Sequence, residues 1–335
     1  MTTADDAPAL PRRRQILLGA GAAALGAVLP AADAQVNKPL VVGGLPVTCN
    51  FTLPVACKAS GGLFEFNKYN GWPEIKESLM TGRLQAAYML APLVMDLAMS
   101  RIAVKVVSLG HRSGAVIMVR SDSSFRTFND LRRKRIAVPS RFAVDYLYLR
   151  RMLAKEGMTV KDVEVVEMAP PDMPAALYAR AVEAYATGEP FGAVAQKAGF
   201  GRPLSMTRDE WPNYMCCVLT VREELIRDDR ARVQQLVNYV QGAGTWLDAS
   251  PANRETAVQI AAGKRFFNQD PAVLRFVMEN PVDRVTYGDL RLIRAEFEEM
   301  LQLEIDAGTI KRRGPYESYV DDSFVRNVAP ARIAL

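Results

Sequence analysis

From Pro39 onward the chain exchanges short apolar runs for helical periods so regularly that few folds remain open to it. LVVGGL, GWPEIKESLMTG, QAAYML, PLVMDLAMS, VKVVSL and AVIMVR follow one another. Strands alternating with amphipathic helices predict α/β layers built on a mainly parallel sheet, its faces covered by the helices. The segment after Gly71 is the best marked. Pro73 suits a first helical turn, Glu74 lies near the positive end, Ile75 and Leu79 share a face, and Gly82 stops the helix. Pro92 opens the next helix in the same way.

After Arg120 the pattern restarts. TFNDLRRKRIAVPSRFAVDYLYLRRMLAKEGM reads as a capped helix, the strand RIAV and a helix from about Phe142 to Glu156, with VEVVEM and a further helix after a Pro-Pro turn. This second unit of roughly a hundred residues is the size of one domain. MCCVLTV, from Met215, is a further strand, and the remainder reads as mostly helical, with one helix expected over 287–305. The expected organisation is residues 36–120 and 215–335 as a first lobe with C-terminal helices, and 121–214 as a second lobe.

Residues 1–34 are set apart from the fold. PRRRQILLGAGAAALGAVLPAADA has a basic head, an apolar middle and a small-residue exit at Ala32-Asp33-Ala34, which reads as an export signal cleaved near Ala34. Arg13 and Arg14 before Gln15-Ile16-Leu17-Leu18 favour the twin-arginine route. The apolar run is broken by Pro30 before it reaches the ~20 residues a membrane span needs. The formal charge of +5 is a mild bias that suits small anions, and no basic stripe with interleaved aromatics suggests nucleic acid. Four cysteines, Cys49, Cys57, Cys216 and Cys217, do not have zinc-site spacing, and the one histidine, His111, excludes a His-based cluster, so no metal is expected. Adjacent Cys216 and Cys217 are expected to stay unpaired with each other, and a bridge from Cys49 to Cys57 is left open.

GWPEIKESLMTGRLQAAYMLAPL, APPDMPAAL, ATGEPFGAVAQKAGFG, WPNYMCCVLTVREELI and TWLDASPANRETAVQI, in this order behind an export signal, resemble the solute-binding proteins of ABC importers for nitrate, bicarbonate, cyanate, taurine and sulfonates. The resemblance runs over nearly all of the mature chain. It implies a two-lobed, type II periplasmic binding protein, monomeric, without cofactor or catalytic residues, that passes a small-molecule ligand to an ABC permease at the inner membrane. Its ligand would lie between the lobes, held by loops at strand ends and helix N-termini. The residues at those places are Thr48, Cys49 and Asn50; Trp72; Tyr88 and Ala91; Ser113 and Gly114; Arg141; and Glu189.

Trp72 resembles the tryptophan that relatives place against their ligand, and Arg141 is the cation chosen for an anion. The acid of Glu189, in a GEPF turn where the family has GEPW, is also suited to cap the helix that follows. Nitrate- and bicarbonate-type members use a glutamine, a histidine and a lysine, and the register places Ser113, Asp145 and Cys217 there instead. That departure points to a larger anionic or zwitterionic organic, nitrogen- or sulfur-containing solute. Two other readings share the fold. YMCCVL is a shortened echo of the cysteine-rich motif of the thiamine-pyrimidine-precursor synthase, and a ligand-sensing periplasmic subunit would use the same cleft.

Overall fold

The computed structural model describes residues 38–335, so the expected export signal lies outside the described residues. Its strands follow in chain order as β1 (Leu40–Gly44), β2 (Phe64–Lys68), β3 (Ala86–Leu90), β4 (Val104–Leu109), β5 (Arg112–Ser113) and β6 (Ala115–Arg120). Then come β7 (Arg135–Val138), β8 (Glu164–Glu167), β9 (Ala184–Gly188), β10 (Gly201–Met206), β11 (Cys217–Arg222) and β12 (Val285–Thr286). One sheet has the order β2-β1-β3-β11-β4 and the other β10-β6-β9-β7-β8, while β12 pairs with β5 alone. Each five-stranded sheet is mainly parallel with one reversed strand, β11 in the first and β6 in the second.

β6 corrects the expected boundary. Its run AVIMVR pairs with β9 and β10, so the chain has changed sheets before Ala115 and not at Arg120. An apolar strand carries no mark of which sheet it will join. Its alternate residues instead separate two faces: Ile117 and Val119 pack with Ile136, Val138, Leu149 and Leu153, whereas Val116 and Met118 pack with Met173, Leu177 and Tyr185.

In the first sheet β3, Ala-Ala-Tyr-Met-Leu, is buried at every position, as expected of a central strand covered on both faces. The helix Trp72–Met80 has Pro73 in its first turn and buries Ile75 and Leu79, and Ala91–Met99 starts with Pro92. The second-lobe helix forms over Val144–Lys155. C-terminal helices Arg230–Ala249, Pro251–Ala262 and Pro271–Glu279 are each capped by a side chain, Asp229, Ser250 and Asp270, that accepts a backbone N–H of the first turn. The third was not read from the sequence, although Asp270-Pro271 is a start signal.

The helix expected over 287–305 begins only at Arg294 and ends at Gly308, which takes the left-handed conformation. Tyr287 and Gly288 are held out of it because both backbone N–H groups donate to Asp248 Oδ2, at 2.7 and 2.6 Å. The Tyr287 hydroxyl reaches the Thr48 carbonyl at 2.8 Å, and its ring lies 6.3 Å from Phe51, itself edge-on to Phe267 at 5.6 Å. Burial of each such side chain contributes about 1.5–3 kcal/mol, which fixes the C-terminal helices against the loop after β1.

The two crossings lie side by side. Ser113 N donates to Tyr214 O (3.0 Å), and Arg112, almost fully buried, donates to Asn213 O (2.8 Å), to Asp289 O (2.9 Å) and to Glu296 Oε1 (3.0 Å). One guanidinium therefore ties the outgoing segment, the returning segment and the C-terminal region together. Among the described residues no helix is long and apolar enough to cross a membrane.

Candidate functional site

The C-terminal ends of β1 and β3 in one sheet and of β7, β8 and β9 in the other lead into the segments that meet along one seam, the place where open α/β sheets take ligands. The loop after β1 is a single tight turn, Thr48–Asn50, and it touches the second lobe directly. Thr48 donates both its N–H (2.8 Å) and its hydroxyl (3.1 Å) to the carbonyl of Glu189. Beside it a Cβ on Gly188 would stand only 3.1 Å from Cys49 Sγ, so glycine is what lets β9 approach the turn.

Around Cys49 the structure gathers His111 from the first crossing and Cys217 from the returning strand, their ligand atoms all within 4.8 Å of one another. Cys216 Sγ lies 3.9 Å from Cys217 Sγ, and His111 Nε2 faces the backbone N–H of Cys217 at 3.3 Å. All four cysteines are buried and free, and Cys57 lies apart on the helix Thr52–Ala59. Hydrogen bonds from Cys216 and Cys217 draw the Cys49 thiol down to about 6 against the opposing effect of burial. Burial, with Cys216 close by, pushes Asp145 up to about 8, so its carboxyl is largely protonated at neutral pH. This answers the repulsion that a charged Asp145 would offer an anion.

Several buried polar atoms here find no partner among the described residues: Asn50 Nδ2, His111 Nδ1, Asp145 Oδ1, Thr187 Oγ1, Tyr214 OH and, farther along the seam, Trp72 Nε1. They come from both lobes and from the crossings. Buried polar groups are nearly always satisfied, so a cluster of exceptions marks a place prepared for something else. Trp72 lines a cavity of about 410 Å³ together with Asn70, Glu74, Pro139, Glu167 and Pro170, which again draws on both lobes.

The sequence candidates divide among distinct places. Thr48, Cys49, Asp145, Glu189 and Cys217 meet at the seam, and Trp72 lines the cavity. Asn50 spends its Oδ1 on Leu45 N (2.9 Å), leaving Nδ2 unpartnered. Tyr88 is fully buried with its hydroxyl 2.6 Å from Thr52 Oγ1, and burial raises its pKa. Ala91, at a helix start, has its N–H engaged by Cys216 O at 3.1 Å and so is not a free anion donor. Ser113 and Gly114 belong to the crossing, with Gly114 at φ 98° under Val285. Arg141 is exposed, its guanidinium directed to Val165 O at 3.3 Å and over the Tyr146 ring.

Glu189 caps the helix Phe191–Lys197 by accepting Ala193 N (2.9 Å) through Oε2, and its Oε1 accepts from Arg284 Nε (2.8 Å). Sequence reading missed Arg284, Tyr214 and Thr187. Nothing in their local sequence marks them, since each acquires its role only from a partner brought in by the fold.

Comparison with known proteins gives this geometry its place. The family model described as the NMT1-like family matches residues 37–262. The chain belongs to the NMT1-like family. A similar curated protein is the nitrate import ATP-binding protein NrtC of Synechococcus elongatus, 28% identical over 255 residues, which cover 69% of this chain and 38% of that protein. The chain thus spans well under two thirds of the length of that relative. The ligand-binding component of an ABC-type import system from Staphylococcus aureus, solved with zinc bound, matches with a TM-score of 0.79 at 26% identity, over 88% of this chain and 100% of that one. The periplasmic nitrate-binding protein NrtA from Synechocystis PCC 6803 gives 0.80 at 16% identity, over 86% of this chain and 87% of that one. The fold of this NMT1-like chain is accordingly that of type II periplasmic binding proteins, two lobes each built on a mainly parallel sheet flanked by helices.

Proposed function

We propose that the chain is the solute-binding component of an ABC importer, exported to the periplasm, which closes its seam over a small solute and delivers it to a membrane permease. The observation that carries this reading is the set of unpartnered buried polar atoms, Asn50 Nδ2, Asp145 Oδ1, Thr187 Oγ1 and Tyr214 OH, contributed from both sides of one seam. Membership of the NMT1-like family supports it, as do relatives named for nitrate import and for ligand binding in ABC-type import. The lobes we propose to move are the two sheets with their helices, about a hinge made of the paired crossings and Arg112. A small anionic or zwitterionic organic solute fits donors such as Asn50 and Tyr214 beside a protonated Asp145. The enzyme resemblance implies a suitably placed lysine and histidine for pyridoxal phosphate, whereas the groups around His111 are Cys49, Cys217 and Asp145.

The mass of the molecule released on denaturing freshly purified protein identifies the solute, and a thermal-shift screen of organic anions, sulfonates and small nitrogen compounds checks it. A ligand of the folded state raises the melting temperature by mass action. With that solute, Trp72→Ala is expected to weaken binding about tenfold or more in calorimetric titration, through loss of a large contact in the cavity. Arg141→Ala is expected to leave affinity near wild type, because its guanidinium is occupied at the rim by Val165 O. The opposite pattern would place the ligand on the exposed side of the second lobe. Turnover of the solute without any added enzyme would overturn the binding reading.

A further inference from the structure

Cys49, His111 and Cys217 come from three separated parts of the chain, yet their sulfur and ring-nitrogen atoms lie within 4.8 Å of one another in a fully buried position. We propose that these three residues form a site for a soft transition-metal ion, with zinc(II) as its representative. The proposal does not depend on transport, since the site would exist whether or not a permease receives the protein.

The donor set decides the class of ion. Two thiolates and an imidazole favour zinc(II) or copper(I) and disfavour calcium and magnesium, which take oxygen ligands. With Zn–S near 2.3 Å and Zn–N near 2.0–2.1 Å, tetrahedral ligand atoms stand about 3.5–3.8 Å apart. From separations of up to 4.8 Å the present grouping reaches that spacing by a contraction of about 1.3 Å at most. Charge is balanced as well, because two thiolates neutralise a dication and the filled site would bring no net charge into the interior. Binding requires both sulfurs as thiolates, so affinity would fall with falling pH.

The three residues are also held in position. Gly110 N donates to Cys217 O at 2.9 Å, which fixes the crossing beside the returning strand, and the turn carrying Cys49 is fastened to Glu189 through Thr48. His111 Nε2 already points toward Cys217, accepting its backbone N–H at 3.3 Å, a contact that the metal would replace. Nδ1, which has no partner among the described residues, would then keep the proton. Three protein ligands leave a fourth position, and Cys216 Sγ lies close by, 3.9 Å from Cys217 Sγ.

Packing alone does not account for the grouping. Buried cysteines are often small apolar fillers, and Cys57 fits that description on its helix. A filler has no use for a buried imidazole whose Nδ1 finds no partner among the described residues.

The test uses the full chain, reduced, stripped with a chelator and kept anaerobic. Zinc(II) is titrated in competition with a chromophoric chelator, and cobalt(II) is added separately to read thiolate-to-cobalt charge-transfer absorption. One equivalent of zinc and a cobalt–thiolate absorption are expected in wild type. Cys49→Ser, Cys217→Ser and His111→Ala should each lose about a hundredfold or more in zinc affinity, at least the scale on which second-shell groups are felt, while Cys57→Ser keeps wild-type affinity. Because these are buried positions, each metal-free variant is also melted. Zinc should raise the melting temperature of wild type and Cys57→Ser, and should not raise that of Cys49→Ser. Absence of the cobalt–thiolate absorption in wild type would overturn the proposal whatever the variants do. So would wild-type zinc affinity in the folded Cys49→Ser and Cys217→Ser proteins, or a disulfide joining Cys49 to Cys216 or Cys217 in protein isolated without reductant.

Discussion

Arg284→Met is expected to destabilise the fold by about 3–5 kcal/mol, the scale for leaving one member of a buried ion pair uncompensated. The side chains of Arg284 and Glu189 are only 3% and 1% exposed, so solvent cannot replace the lost partner. Arg284 donates to Glu189 Oε1, to Asn280 O (2.9 Å) and to Gln196 Oε1 (2.5 Å). It thereby joins the second lobe to the segment just before β12. In a protein of this size the loss corresponds to a fall in melting temperature of about 5–8 °C. Glu189→Met in the same background should recover a large part of it, because removing both charges removes the uncompensated one, though Ala193 N then loses its acceptor. Urea denaturation of wild type, both single variants and the double variant completes the cycle. Additive losses would show that the two groups do not act as a pair.

The same contact reaches the site. The backbone of Glu189 accepts from Thr48 and donates to Gly114 O at 2.8 Å, so its side chain anchors the residue through which the second lobe meets the turn after β1. A weakened anchor should lower ligand affinity without any contact between Arg284 and the ligand.

How far the sequence could be read follows the range of the forces involved. The helix Trp72–Met80 was legible because Pro73, Ile75, Leu79 and Gly82 all act within one or two turns. The α/β exchange was legible for the same reason. β6 was assigned to the wrong sheet because AVIMVR satisfies either core, and pairing with β9 is settled by residues about seventy positions away. Tyr287 was placed in a helix because its local pattern permits one, whereas Asp248 takes its N–H from elsewhere in the fold.

The candidate site divides in the same way. Thr48, Cys49 and Trp72 could be named from their positions at strand and helix ends, and Asp145 from the register of the family resemblance. Their company could not. Cys49, His111 and Cys217 have no spacing that resembles a metal site, because each comes from a different connection and only the crossing of the chain between lobes brings them together. Arg141 shows the converse, a residue at the right kind of turn whose long side chain folds back to Val165 O and the Tyr146 ring.

Stability should also fall with rising pH through one acid on the C-terminal helix. Glu304 is fully buried, its Oε2 held by Thr309 and its Oε1 unpartnered, and burial lifts its pKa from 4.5 to about 7, with Asp96 adding to the effect and Arg150 opposing it. The folded chain therefore holds this proton more tightly than the unfolded chain does. By linkage its favourable contribution is complete below the unfolded value of about 4.5, declines as pH rises toward 7 and is gone above it. The range amounts to about 3 kcal/mol at most. Glu304→Gln keeps an acceptor for Thr309 and cannot ionise, so it should match wild type near pH 5 and exceed it in stability near pH 8 by up to that amount. Urea unfolding of both proteins at the two pH values decides the matter. A stability difference that stays the same at both would mean that Glu304 titrates alike in the folded and unfolded chains, and that its carboxyl reaches water through the helix Arg294–Ala307 in solution.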